Sequence, residues 1–332
     1  MRFGPVPLDR AEGAVLAHSV ALPDGRLRKG KILTRDAIDR LRGAGLTRVT
    51  VARLDPGDVP ENAAAARLAH ALAGRGLTVR EAATGRANLH ADGPGILAVD
   101  GAAITAANVV DPLITIATLP PWQRVAAGTM AATVKIISYA VGADRLAEAM
   151  AAATAALSLC PPVIGRAALI VTTLPGGATA SAAVTTRLDR MGVACDVHEV
   201  PHDVAPLAAA LQRVDAPLRL ILTASATSDL GDVAPAALRR ADGTVTRFGM
   251  PVDPGNLMML GKLDGAHVVG LPGCARSPAL NGADWILERA ICGIPVTDAE
   301  IAAMGVGGLL KEIPTRPQLR DPMRPSGSHG KN

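Results

Sequence analysis

Ala168-Leu169-Ile170-Val171-Thr172-Thr173 is an unbroken apolar run that ends in two small hydroxyls. Its length and the absence of Gly and Pro predict a strand buried on both faces. Downstream the pattern changes period and then returns. A helix over 181–191 closes at Gly192, the residue that favours a left-handed C-terminal cap. A strand over 193–200 follows, then a helix capped by Asp203 with Leu207, Ala210 and Leu211 on its apolar face. Leu218-Arg219-Leu220-Ile221-Leu222 predicts a third strand, 233–240 a short helix, 268–271 a fourth strand and 278–291 a further helix. Strands alternating with helices require crossover connections. The expected fold is therefore α/β: a three-layer domain with a mainly parallel sheet over 163–310.

Two regions precede it. In 1–76, an α+β region, Leu22-Pro23-Asp24-Gly25-Arg26 has turn chemistry. A helix capped by Thr34 buries Ile38 and Leu41 and ends at Gly43 or Gly45. A strand over 46–51 comes next, then a helix over 61–76 with Ala65, Leu68, Ala69 and Leu72 as its stripe. The region 77–162 is β-rich, with strands expected at 96–99, 113–117 and 133–137 and an Ala-rich helix at 144–158. Pro161-Pro162 marks a boundary. The segment 311–332 holds Arg316, Arg320, Arg324 and Lys331 among Pro, Ser and Gly, and reads as a disordered basic tail.

Composition narrows the function. Of 332 residues 49% are hydrophobic but only 2% aromatic, so the cores must be built from Ala, Val, Leu and Ile. That composition weakens any reading that needs stacked aromatics, such as a platform for single-stranded nucleic acid. The net charge of +4 is dispersed, and no nucleic-acid partner is expected. No uninterrupted apolar stretch is long enough for a membrane span, and Met1-Arg2-Phe3-Gly4-Pro5 does not open a secretory signal; a cytoplasmic location is expected. The four cysteines form no C-x-x-C pair, and the histidines form no metal motif.

In a parallel sheet, ligands sit at the carboxyl ends of the strands. Three loops therefore carry the chemistry. Thr172 and Thr173 open the first, followed by Leu174-Pro175-Gly176-Gly177-Ala178-Thr179; it is either an anion cradle ahead of a helix or an ordinary connection. The second, 223–232, gathers Ser225, Thr227, Asp229 and Asp232. Hydroxyls and carboxylates so close either hold a hard cation and phosphate oxygens or form a solvated loop in which Asp232 caps the next helix. The third, 270–278, places Arg276 and Ser277 at the mouth of a helix as an anion clamp, with Cys274 as a thiol in the same turn.

These residues resemble a known family. Gly270-Leu271-Pro272-Gly273 followed by a helix looks like the last motif of the molybdopterin-binding domain shared by molybdopterin molybdenumtransferases and adenylyltransferases. Gly249-Met250-Pro251-Val252-Asp253-Pro254-Gly255-Asn256 is similar to the molybdenumtransferase Pro-Gly-Lys-Pro segment. Glu199-Val200-Pro201-His202-Asp203 is similar to its helix start, and residues 10–17 to its opening motif. The resemblance implies a molybdenum-cofactor biosynthesis protein that binds molybdopterin or its nucleotide adduct. It implies Asp229 and Asp232 as catalytic, Mg²⁺-holding carboxylates. Thr172, Thr173, Ser225, Thr227, Pro254, Gly255, Gly270, Pro272, Gly273, Arg276 and Ser277 are implied as the binding set. Molybdate, a cofactor nucleotidyltransferase or an apo-molybdoenzyme, and a second copy of the chain are the implied partners. The chain also departs from the pattern. Leu174-Pro175-Gly176 stands where the molybdenumtransferases carry Gly-Asp-Glu, the 223–227 loop lacks glycine, and Asp253 and Asn256 replace two lysines. Three activities follow from this: molybdenum transfer, adenylyl transfer, and non-catalytic carriage of the cofactor.

Overall fold

The computed structural model describes residues 1–177 and 181–310. The chain divides into two units. The first comprises Met1–Gly165 with Leu188–Ala194 and Leu287–Pro295; the second comprises Arg166–Arg187, Cys195–Ile286 and the chain from Val296. The tail expected over 311–332 lies outside the described residues.

Among the described residues the first unit holds five small sheets. Arg2–Pro7 and Val15–Leu16 flank Arg48–Arg53, both antiparallel to it. The helix Arg35–Gly43 is capped as expected, Thr34 Oγ1 accepting the Ala37 N–H, and it buries Ile38 and Leu41 against Leu16, Leu33 and Val51. A four-stranded antiparallel sheet runs Ile114–Thr118, Met130–Ile136, Arg86–Ala91, Leu77–Val79. It shares one aliphatic core with the helices Glu61–Leu72 and Ala143–Ala152, through Leu68, Leu72, Leu89, Val134, Ile136 and Leu146. In the same unit Arg289 lies over the Trp122 ring at 4.6 Å, a cation–π contact.

Two expected helices are shorter than their apolar patterns. The 61–76 helix stops at Leu72 because Gly74 approaches the Leu157 carbonyl so closely that a Cβ there would lie 2.7 Å from it. The 144–158 helix stops at Ala152. Leu157–Cys160 is instead a strand, antiparallel to Gly95–Val99, with alternate residues buried. Alanine helix propensity gives way there to strand pairing.

The second unit is a mixed α/β body around a six-stranded sheet. In order across it run Ala194–Pro201, Arg166–Thr173, Leu218–Leu222, Ala266–Leu271, Met259–Leu263 and Thr244–Phe248. Leu169 pairs with Leu220, and Ile221 with Gly270, in parallel register. Ala194 N–H donates to Gly165 O and His202 N–H to Thr173 O, so the first edge strand runs the same way. The last two strands are antiparallel and were not anticipated. Their sequence, split by Gly261 and carrying Arg247 and Lys262, has too little continuous apolar character to announce them. Ile170, Ile221 and Val268 form one buried face with the helices Val204–Arg213 and Val233–Arg240. Four parallel carboxyl ends, at residues 173, 201, 222 and 271, therefore lie along one side of the sheet.

Leu220 is completely buried in the central strand. Leu220→Ala should lower the stability of this unit by about 2–5 kcal/mol. Urea unfolding should show this as a lower midpoint for one transition with its slope retained.

Candidate functional site

The carboxyl ends of three adjacent strands are joined by side chains. Thr172, at the end of Arg166–Thr173, is 2% exposed, and its Oγ1 accepts the Ala224 N–H at 2.9 Å. The same oxygen lies 2.8 Å from His202 Nδ1. His202 Nε2 lies 2.8 Å from the Oγ of exposed Ser225. Arg276 closes the other side, donating from Nη2 to Thr223 O at 2.7 Å. The edge thus presents Ser225, half-buried His202 and Arg276 together. Histidine here was missed by sequence reasoning, although its position was a usable signal: it directly follows the strand Ala194–Pro201, whose end obeys the same rule as the other three.

The remaining expected residues divide by what they touch. Thr173 Oγ1 turns to Val200 O at 3.4 Å. Thr227 is buried, its hydroxyl 3.3 Å from Thr223 Oγ1, and braces the loop from inside. Gly270 lies within its strand, where a Cβ would meet Met259 Cβ at 3.0 Å, so it is a packing glycine. Pro272 caps the 3-10 turn Gly273–Arg276. The helix expected from 278 begins only at Gly282, so Arg276 and Ser277 do not stand at its mouth. Asn281 separates them from it, its Oδ1 accepting the Ala283 N–H. Ser277 Oγ accepts from Ala279 N–H within its own turn. Pro254 and Gly255 support the same helix start: Gly282 N–H donates to Pro254 O at 2.8 Å, and a Cβ on Gly255 would sit 2.8 Å from Gly282 N.

Asp229 and Asp232 spend oxygens on the backbone. Asp229 Oδ1 accepts the Gly231 N–H. Asp232 caps the helix Val233–Arg240, one oxygen accepting from Ser228 N–H and the other from Val233 N–H. These two N–H groups hold the Asp232 carboxyl below its ordinary range. Among the described residues no group of three His, Cys, Asp or Glu side chains could hold a metal ion. A cleft of about 550 Å³ elsewhere in the unit is lined by Arg166, His198, Glu199, Arg213 and Asp215. Its charges are of both signs, and Arg166 already meets Asp215 at 3.4 Å, so it lacks the convergent donors of the carboxyl edge.

Comparison with known proteins gives limited likeness. Residues 5–53 match a family described as Domain of unknown function (DUF8806). No curated protein matches the sequence. Among solved structures, a molybdopterin biosynthesis MoeA protein from Pyrococcus horikosii is 14% identical, over 87% of this chain and 75% of that one, with a TM-score of 0.31. Among the described residues no helix is long and apolar enough to cross a membrane.

The turn that carries Arg276 is held by a buried cation. Arg187, from the helix Ala182–Asp189, pairs through Nε with Asp284 Oδ1. Its Nη1 donates to Ala183 O and Ala275 O, and its Nη2 to Ser277 O and Ala279 O, at 2.7–3.2 Å. Asp284 Oδ2 accepts the Asn281 N–H. The Asn281 side chain in turn donates to the sulfur of exposed Cys274 at 3.1 Å.

Arg187→Met should destabilise the protein by about 3–5 kcal/mol in chemical denaturation, because it leaves Asp284 buried without its cation. Replacing both partners by Met should recover part of that loss. Asp232→Ala should cost about 1 kcal/mol of cap stability. Since the folded carboxyl is the stronger acid, its contribution is full above the unfolded value of about 4 and disappears as pH falls through the lower folded value. Denaturation midpoints measured from pH 6 down to about pH 2 should therefore converge for the wild type and Asp232→Ala.

Proposed function

We propose that this chain binds molybdopterin, or its nucleotide adduct, through a phosphate at the carboxyl edge of the six-stranded sheet, and serves molybdenum-cofactor biosynthesis. The observation that carries the reading is the gathering of Ser225, His202 and Arg276 from three strand ends. Arginine is a fixed cation whose planar donors match phosphate oxygens. The Gly270-Leu271-Pro272-Gly273 resemblance supports the same assignment, since the turn it opens is the one that presents Arg276.

Carriage is favoured over transfer. Insertion of molybdate into a dithiolene calls for charge neutralisation at the oxyanion rather than a protein nucleophile. The two carboxylates expected to organise Mg²⁺ are bonded to backbone N–H groups instead. If Mg²⁺ accompanied the phosphate, Asp229, the more exposed of the pair, would be the protein carboxylate open to it. The carrier then presents its cargo to a cofactor nucleotidyltransferase or an apo-molybdoenzyme.

Purified full-length protein should release a pterin of molybdopterin mass on denaturation, and calorimetry with molybdopterin should show saturable binding. Arg276→Ala should weaken binding about 10–100-fold, the loss of one charge-assisted contact. Turnover with molybdate alone would make the protein a transferase, and turnover with ATP an adenylyltransferase. Absence of both a bound pterin and calorimetric binding would end the proposal.

A further inference from the structure

We propose that Thr172, His202 and Ser225 form a proton-ordered chain of donors that receives an acceptor-only tetrahedral oxyanion. This deepens the phosphate reading and rests on it for the location of the site. Its content is separate: which atom carries each proton, and what that order admits.

The argument begins at the buried end. Thr172 Oγ1 already accepts the Ala224 N–H at 2.9 Å, and the residue is 2% exposed. Its hydroxyl still has one proton to place. Among the described residues, the acceptor within reach is His202 Nδ1, at 2.8 Å. Thr172 O–H therefore donates to Nδ1. A neutral imidazole that accepts at Nδ1 carries its proton on Nε2, so the 2.8 Å contact to Ser225 is Nε2–H donating to Oγ. Ser225 is exposed, and its own O–H remains to point outward.

The series is Ala224 N–H, Thr172 O–H, His202 N–H, Ser225 O–H, each group donating to the next. Donors aligned head to tail polarise one another, so the outermost O–H is a better donor than an isolated serine. A ligand made only of acceptors fits this terminus. A ligand that must donate meets a Ser225 oxygen with one lone pair already committed to His202. Arg276 is anchored on Thr223 O, two residues along the chain from Ser225. It supplies the formal charge, and the relay supplies direction. Phosphate esters and molybdate share the required chemistry.

The same order removes a competing reading. A serine beside a histidine invites assignment as a nucleophile with its base. Here the nitrogen that would take the serine proton already carries one. His202 is a positioning residue for the Ser225 hydroxyl.

The test uses full-length protein labelled with ¹⁵N-histidine. The His202 signals, assigned by their loss in His202→Gln, should show Nε2 protonated and Nδ1 bare. Thr172→Val removes the proton that fixes this state, and should release a mixture of tautomers. Titrations with inorganic phosphate and with molybdate then locate the ligand. Ser225→Ala and Thr172→Val should each weaken at least one of them about tenfold, and the anion affected is the one the chain receives. His202→Gln, whose amide can still donate to Ser225, should retain more affinity than His202→Ala. A protonated Nδ1, covalent labelling of Ser225 by a fluorophosphonate, or unchanged affinity for both anions in Ser225→Ala would overturn the proposal. Molybdopterin binding that is untouched by Thr172→Val and Ser225→Ala would defeat it and leave the phosphate reading standing. Ordered protons and tenfold losses without any molybdopterin binding would do the reverse.

Discussion

A guanidinium enclosed in protein must find a partner for each of its donors, and Arg187 finds five acceptors within the second unit. Four are backbone carbonyls, three of them in the turn that follows the central strand Ala266–Leu271; the fifth is the Asp284 carboxylate. Desolvating an ion pair is costly, so such a pair is weak evidence of net stability. Its value here is geometric. The segment 273–281 is mostly exposed and belongs to no strand, yet it must hold Arg276 against Thr223 O. Carbonyls drawn to one fixed cation give that segment a single conformation. Asn281 extends the arrangement to the helix start and to the Cys274 sulfur.

The edge that results is organised by donors. Backbone N–H groups consume the acidic side chains: Asp203 bonds Ala205 N–H, and Asp229 and Asp232 bond the N–H groups of their own loop. The carboxylates stay ionised, but the N–H dipoles turned toward them offset part of the field they would set against an incoming anion. The donors that remain are the serine hydroxyl, the imidazole behind it and the arginine beside it. Burial treats the thiols differently. It raises Cys160 and Cys195, and pushes Cys292 up to about 11, while Cys274 is the exposed one among the four.

Much of this was legible in the sequence where one physical rule acted alone. The strand Arg166–Thr173 is apolar because both its faces are covered. Thr34 and Asp203 cap helices where hydroxyl and carboxylate precede an apolar stripe. Prediction failed where two rules competed. Ala-rich 144–158 has the composition of a helix throughout, but its last residues answer to the edge of Gly95–Val99. At the candidate site, asking what lies at strand ends selected Thr172, Ser225 and Arg276, which the structure places along one edge. His202 was overlooked although a strand was expected at 193–200, because only the ends of the apolar strands were searched and this one is polar and largely exposed. Arg187 gave no signal at all. An arginine in the last turn of a short helix reads as a solvated charge complementing the dipole, and only tertiary structure reveals the carbonyls around it.

The division of the chain has a temporal consequence. Leu188–Ala194 and Leu287–Pro295 belong with the first unit, although the segments before and after each belong to the second. Neither unit is a continuous stretch of polypeptide. A ribosome that has finished residue 165 has not yet made everything the first unit contains, and it completes that unit only on reaching residue 295. By then nearly all of the second unit's described chain has also been synthesised. Synthesis therefore offers no interval in which one unit can finish before most of the other exists, and a nascent or truncated chain ending anywhere before residue 295 lacks material from both.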